Sequence, residues 1–544
     1  MPFFTQFGGV FFIFLHHKTD DIMKTLTAII TTAVALVSVS CGTPEKSEES
    51  EIIPRPNYCA FDGRSCDIAH LEGISADKGL ENECRMLLKA LADAGMEKKA
   101  VRRGDIRLKL DSGIKEDEAY CLKVEPGRIT ISGGTPAGVF YGIVSLAQEM
   151  NAGKVRCGRI DDSPRFGWRG LMLDEARHFF GEEKVRQILD FMAYYKLNRF
   201  HWHLTDAQGW RIEIKKYPLL TQIGGMGTHS DRNATAQYYT QEQIREIVEY
   251  ARERHIEIIP EIDMPGHATA AVRAYPQYNG GGTKDNPDFT FNVGKGETRA
   301  FLTDILKEVA ELFLGRYIHI GGDEVAFGSD AWNTNADIQE LIRREGLDGL
   351  KGAEGHFMNI MADSVKVIGK DVFGWDDMLE YELTPDKCRI MWWRHDKPEQ
   401  LQKALDSGFD VVLCPRKPLY LDFIQHSSHK FGRTWTGFCP IEDIYSFPDS
   451  LPEAAGHLTE AKQILGIQAN VWTETMQCGK RLDFMMFPRI CALAESAWTA
   501  PSHKDFSDFS RRLDCSYSLF DKAGIYYFDT RDPLGHPEPE GPQM

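Results

Sequence analysis

The tetrad Gly321-Gly322-Asp323-Glu324 sets two carboxylates side by side directly behind two glycines. Paired acids suit proton transfer, because one can donate while the other stays ionised and stabilises positive charge. On a regular strand neighbouring side chains point to opposite faces, so Asp323 and Glu324 share one pocket only if the backbone turns between them. Glycine accepts the backbone angles that such a turn needs. Taken alone, the tetrad also fits an exposed acidic turn, or a hard-cation site built from carboxylate oxygens. A second candidate is His201-Trp202-His203, whose imidazoles would share one face of a strand, as in metal-dependent amidohydrolases. That chemistry wants more histidines at later strand ends. Those ends carry Trp375, Trp393, Tyr420 and Glu474, with His267 the nearest histidine. Structural or substrate-orienting histidines fit better, and neither a metal nor another cofactor is expected.

These residues need a scaffold that brings distant strand ends together. After Asp162-Ser163-Pro164 the chain shows eight apolar runs: Leu171 to Leu173, Phe200 to Leu204, Ile256 to Ile262, Tyr317 to Ile320, Val372 to Trp375, Ile390 to Trp393, Val411 to Leu413 and Ile467 to Trp472. Helical patterns separate them, over Lys184 to Tyr195, Thr240 to Arg254, Glu297 to Phe313 and His356 to Val367. Thr240-x-x-Gln243 reads as a capping box. Strands alternating with helices imply parallel pairing. Eight of them predict an α/β fold, a (β/α)8 TIM barrel, with a doubly wound open sheet as the alternative.

In such a barrel chemistry gathers at the C-terminal strand ends. Those ends carry Asp174 and Arg177, Asp206, Asp263 and His267, Asp323 and Glu324, Trp375 and Asp376, Trp393 and Arg394, Tyr420, and Trp472 and Glu474. Acids supply hydrogen bonds and protons, and large rings supply apolar faces for the C–H side of a sugar. The combination points to carbohydrate. The whole chain has 544 residues and a formal charge of −17, which argues against a polyanionic partner such as nucleic acid.

Residues 52–160 read as a small α/β accessory domain, with a helix over Glu81 to Ala94, strands over Ile106 to Leu110 and Ile129 to Gly133, and a helix over Gly138 to Gln148. The barrel is expected over 161–530 and a C-terminal tail over 531–544. Met23-Lys24, the apolar run Leu26 to Val39 and Ser40-Cys41-Gly42 read as an export segment within residues 1–41, too short to span a bilayer. It resembles a bacterial lipoprotein signal in which Cys41 is lipidated, with residues 42–51 as a polar linker and translation starting at Met23. The protein is then exported, to the periplasm, outer membrane or cell surface, and meets a membrane only through that lipid. Cys59 and Cys66 are close enough in sequence to bridge.

The segments WRGLMLDEARHFF (168–180), NRFHWHLTDAQGWR (198–211), EIDMPGHA (261–268), HIGGDEV (319–325) and NVWTE (470–474) resemble the β-N-acetylhexosaminidases of glycoside hydrolase family 20. The similarity runs in order from about Asp162 to Trp498, and the domain before it resembles the family's accessory domain. The resemblance implies exo-acting, retaining hydrolysis of terminal β-linked N-acetylglucosamine or N-acetylgalactosamine, with the substrate's 2-acetamido oxygen as nucleophile and an oxazolinium intermediate. It makes Glu324 the general acid/base, whose pKa the neighbouring Asp323, if ionised, would raise. Asp323 accepts the acetamido N–H, and Tyr420 holds the acetamido oxygen. Trp375, Trp393 and Trp472 become the pocket walls, Arg177 and Glu474 grip the sugar hydroxyls, and Asp206, His203 and His267 orient the acid. Arg169 reads as structural. Two departures from the family pattern, Glu175-Ala176 before Arg177 and Ala207 after Asp206, bear on how those two are positioned. The competing readings are a surface glycan-binding lipoprotein without catalysis and the metal-dependent amidohydrolase.

Overall fold

Strand β1 (Tyr58–Asp67) opens a six-stranded mixed sheet completed by β2 (Ile74–Ala76), β3 (Ile106–Leu110), β4 (Tyr120–Glu125), β5 (Arg128–Gly133) and β6 (Lys154–Asp162), in the order β1-β6-β4-β5-β3-β2. Helices Glu81–Asp93 and Pro136–Glu149 cover it. This computed structural model describes residues 49–541 except 436, 453–457 and 459–462. The expected export segment and Cys41 lie outside the described residues, as does Met23.

Eight parallel strands then close into a barrel: β7 (Trp168–Asp174), β8 (Arg199–His203), β9 (Glu257–Met264), β12 (Tyr317–Gly321), β13 (Asp371–Trp375), β14 (Arg389–Trp392), β15 (Val411–Leu413) and β16 (Ile464–Val471), with β9 paired to β12 and β16 to β7. A short hairpin, β10 (Asn279–Gly281) and β11 (Thr290–Phe291), lies between β9 and β12. Closure rules out the open sheet. The crossover helices follow the sequence periodicity: Glu182–Tyr194, Gln241–Arg252 and Gly296–Leu312 lie within two residues of expectation at each end, and Gly349–Val367 begins seven residues before the predicted His356. Thr240 forms the capping box with Gln243, which satisfies backbone N–H groups that the first helical turn leaves unpaired.

Two apolar cores result. One lies between the strands and the surrounding helices and continues into the accessory domain. The other fills the barrel lumen, from Trp168 and Phe373 up to Trp375, Trp393, Tyr420 and Trp472. The floor of the site is therefore rigid, because close-packed interiors resist local displacement. The two domains are locked by buried polar contacts. Asp162 accepts from Trp498 Nε1 at 2.9 Å and pairs with Lys196 at 3.2 Å. Arg169 is fully buried, donating to Glu118 at 2.6 Å and to the Tyr141 hydroxyl at 3.0 Å, so its work is at the domain boundary. Cys66 is a free, buried thiol, so the Cys59–Cys66 bridge that the spacing allows is not formed. Within the expected tail, Glu538 accepts from Arg481 at 3.0 Å, which holds that segment against the barrel.

Candidate active site

The backbone turns at the tetrad as its glycines predict. Gly321 has φ +65°, Gly322 φ +93° and Glu324 itself φ +52°. A Cβ on Gly321 would lie 1.8 Å from Asp263 Oδ1, and one on Gly322 would lie 2.7 Å from Met378 Cγ. Both side chains of the acid pair consequently face one imidazole: His267 Nε2 is 3.6 Å from Asp323 Oδ2 and 3.6 Å from Glu324 Oε2. His267 also holds a left-handed backbone, φ +53°. Such conformations cost about 1–3 kcal/mol each in a residue with a Cβ and cluster at functional sites. Gly321→Ala is therefore expected to lower activity by roughly 10²-fold, the scale of a 1 Å displacement of catalytic groups. Steady-state rates alongside a thermal melt check it, and full activity in Gly321→Ala would contradict it.

The pocket is lined by Arg177, His267, Asp323, Glu324, Trp375, Trp393, Arg416, Tyr420, Phe423, Arg433, Trp435, Trp472 and Glu474. Trp375 and Trp472 lie 6.0 Å apart between ring centroids, Tyr420 stands 6.0 Å from Trp472, and Trp393 stacks parallel to Tyr420 at 6.4 Å. The rings are fixed from behind: Trp375 Nε1 donates to Glu261 at 2.9 Å and Trp393 Nε1 to Asp377 at 2.9 Å. A larger cleft of about 770 Å³ between the domains, lined by Glu118, Arg199, Arg252 and Leu314 among others, gathers none of the predicted site residues.

Two of the residues expected to orient the acid stand behind the pocket. His203 and Asp206 are buried and do not line the pocket. Asp206 instead ties the pocket residues together: its Oδ2 is 2.8 Å from Arg177 Nη2 and 2.8 Å from His203 Nε2, and its Oδ1 is 3.1 Å from His267 Nδ1. Asp376 and Arg394, also at strand ends, form a closed ion pair at 3.0 Å behind the wall. Of these only His203 lies on a strand, as the last residue of β8; Asp206, Asp376 and Arg394 lie in the segments that follow their strands.

Arg177 is held by Asp206, by Asp174 at 3.5 Å and by Gln208 at 3.2 Å, with its guanidinium 4.9 Å over the Trp472 ring. The Glu175-Ala176 departure does not disturb it. Glu175 turns away into the core, accepting from the Phe180 and Gly181 amides and from Trp202 Nε1. Ala207 donates its amide to Asp206. Glu474 accepts from Arg433 at 2.9 Å, and its second oxygen is buried without a hydrogen-bond partner among the described residues. Asp323 Oδ1 is buried in the same condition. Buried acceptors left unmade are costly, and here both border the pocket.

Burial, opposed by the charge on His267 and reinforced by Glu324, pushes Asp323 up to about 8. Asp323 thus holds its proton more tightly than a free carboxyl group does. An N–H donor arriving from a bound amide favours its carboxylate. Burial alone would lower His267, but Asp206 and Asp323 raise it to about 9. Asp206, despite burial, is held well below the usual range by Arg177 and His267. Because the folded state binds the Asp323 proton more tightly than the unfolded chain, whose value is near 3.8, this group's contribution to stability falls as pH rises from about 4 to 8. Asp323→Asn, neutral throughout, should raise the melting temperature, and more at pH 8 than at pH 5. A gain that does not change with pH would contradict this.

Arg433, Arg416, Phe423 and Trp435 were not anticipated. All lie in the irregular stretch between β15 and β16, where no periodicity announces which side chains turn inward.

The family model described as the glycosyl hydrolase family 20 catalytic domain matches residues 166–501, and that for domain 2 of the same family matches 49–163. A beta-hexosaminidase of Porphyromonas gingivalis is 38% identical over 434 residues, covering 76% of this chain and 55% of that protein, so this chain spans little more than half that relative's length. A beta-N-acetylhexosaminidase of Cellulomonas fimi is 33% identical, covering 77% of this chain and 82% of that one. Among solved structures, an exo beta-N-acetylglucosaminidase from Vibrio harveyi in complex with N-acetylglucosamine superposes with a TM-score of 0.80 at 31% identity, over 92% of this chain and 82% of that chain. A beta-N-acetylhexosaminidase from Bacteroides fragilis gives 0.79 at 29% identity, over 90% and 99%.

Proposed function

This chain belongs to glycosyl hydrolase family 20, and on that footing we propose that it removes terminal, non-reducing β-linked N-acetylglucosamine or N-acetylgalactosamine by retaining, substrate-assisted hydrolysis. The observation that carries the reading is the acid pair. Asp323 and Glu324 face one histidine inside a pocket lined by four tryptophans. A glycan-binding protein without catalysis has no use for that pair. The amidohydrolase reading is not favoured, because the family model that matches the barrel is that of the glycosyl hydrolase family 20 catalytic domain.

The sugar ring stacks on the tryptophan walls with Arg177 and Glu474 on its distal hydroxyls, a grip that admits only a chain end. Asp323 accepts the acetamido N–H and the Tyr420 hydroxyl donates to the acetamido oxygen, which points that oxygen at the anomeric carbon. The oxygen bonds to C1 as the glycosidic C1–O bond breaks, and Glu324 gives its proton to the departing oxygen. An oxazolinium ion remains, its positive charge set against the Asp323 carboxylate. Glu324, 37% exposed at its side chain, then takes a proton from an entering water, whose oxygen bonds to C1 while the oxazolinium C1–O bond opens. Two inversions leave the β configuration, and Glu324 is again protonated.

A thiazoline analogue of the oxazolinium ion tests this reading. It should bind at least about 10²-fold more tightly than the product sugar, as transition-state mimics do; binding no tighter than the sugar would contradict the mechanism. We also propose export and lipidation at Cys41, supported by the apolar run Leu26 to Val39 before Ser40-Cys41-Gly42, which would place the enzyme in the periplasm or on a bacterial surface. Mass spectrometry of the mature N-terminus should find an acylated cysteine at 41, and an unmodified N-terminus would rule it out.

A further inference from the structure

Glu261 is fully buried in the barrel lumen, a layer that such barrels ordinarily fill with branched apolar side chains. It follows Ile259 and precedes Asp263 on the inward face of β9. Three neighbouring strands converge on its carboxylate. From β8, His203 Nδ1 stands 2.6 Å and His201 Nε2 2.9 Å from Oε2. From β12, His319 Nδ1 stands 2.9 Å from Oε1. From β13, Trp375 Nε1 donates to Oε1 at 2.9 Å. A charge this deep opposes folding unless it is fully engaged, and polar residues that break the packing rule tend to serve a site.

Resting on the hydrolytic reading above, we propose that Glu261 is a positioning residue for the acid/base Glu324, acting through His203, Asp206 and His267. Both nitrogens of His203 face a carboxylate oxygen, Glu261 at 2.6 Å and Asp206 at 2.8 Å. The ring therefore carries a proton on each nitrogen. Burial alone would lower its pKa, but Glu261 and Asp206 raise it to about 10. So held, His203 fixes one oxygen of Asp206, whose other oxygen meets His267 Nδ1 at 3.1 Å. That contact sets the aim of His267, whose Nε2 faces the acid pair. Gln468 donates to His201 Nδ1 at 3.0 Å, which leaves the His201 proton on Nε2, facing Glu261. The carboxylate receives His203 on Oε2 and Trp375 on Oε1 and cannot rotate.

Glu261→Gln keeps the shape and removes the charge, and kcat and KM on two aryl N-acetyl-β-glucosaminides, one with a poor and one with an activated leaving group, read the result. The expected loss in kcat/KM is about 10- to 100-fold with the poor leaving group and about threefold or less with the activated one, with KM changed by less than about threefold, because proton donation is what suffers. His203→Gln should give the same pattern, and the double variant should be no worse than the poorer single. Equal losses on both substrates, or additive losses in the double variant, would overturn the proposal. Should Glu261→Gln not fold, His203→Gln, which leaves the Trp375 hydrogen bond to Glu261 in place, decides alone: unchanged turnover overturns the proposal and a leaving-group-selective loss supports it. Parent enzyme that cleaves neither glycoside would overturn the hydrolytic reading itself, whereas parent cleavage with uniform variant losses overturns only this one.

Discussion

Glu324→Gln is expected to lower kcat/KM on glycosides with poor leaving groups by about 10² to 10⁴-fold, the usual worth of a positioned proton donor. With an activated aryl leaving group kcat/KM should fall far less, because the departing oxygen no longer needs the proton. Turnover should still be slow with both, since the second half of the reaction uses Glu324 as base. Binding should survive, because Arg177, Glu474 and the tryptophan walls do not depend on Glu324. The structural basis is its left-handed backbone, φ +52°, which swings the side chain beside Asp323 rather than to the opposite face. Unchanged kcat/KM on poor leaving groups would remove Glu324 from its role.

Asp323→Ala should cost about 10² to 10³-fold in kcat on substrates carrying the 2-acetamido group, the range seen when one preorganised electrostatic partner is lost. Its free oxygen Oδ1 borders the pocket without a partner among the described residues, ready to take the amide N–H. Without it the acetamido group is free to rotate and the oxazolinium charge is uncompensated. Any slow cleavage of plain β-glucosides should be unaffected, since those substrates present no amide. An equal loss on both substrate classes would mean that Asp323 supports the pocket generally rather than the acetamido group.

Much of this architecture is legible because the physical signals are local. The barrel strands are short apolar runs bounded by helices with clear periodicity, and the tetrad declares its turn through Gly321 and Gly322. Helix Arg489–Trp498 is different: it is buried all round, so it shows no amphipathic stripe to read. The depth of a strand-end residue is also hidden. His203 and His267 look equivalent in sequence, yet only His267 borders the pocket. Pairings set by tertiary approach are least visible of all. Nothing local marks Glu261 as the partner of three histidines, or Arg433 as the partner of Glu474.

The central claim is that the sugar supplies its own nucleophile, and it is tested most directly by measuring kcat/KM on aryl glycosides whose acetamido methyl carries zero, one, two or three fluorines. Each fluorine weakens the amide oxygen as a nucleophile with little change in size. The account predicts a steep, monotonic fall across the series, ending near the rate of the glycoside that has a 2-hydroxyl instead. Rates indifferent to fluorination, or equal for the 2-hydroxyl compound, would show that another atom attacks the anomeric carbon.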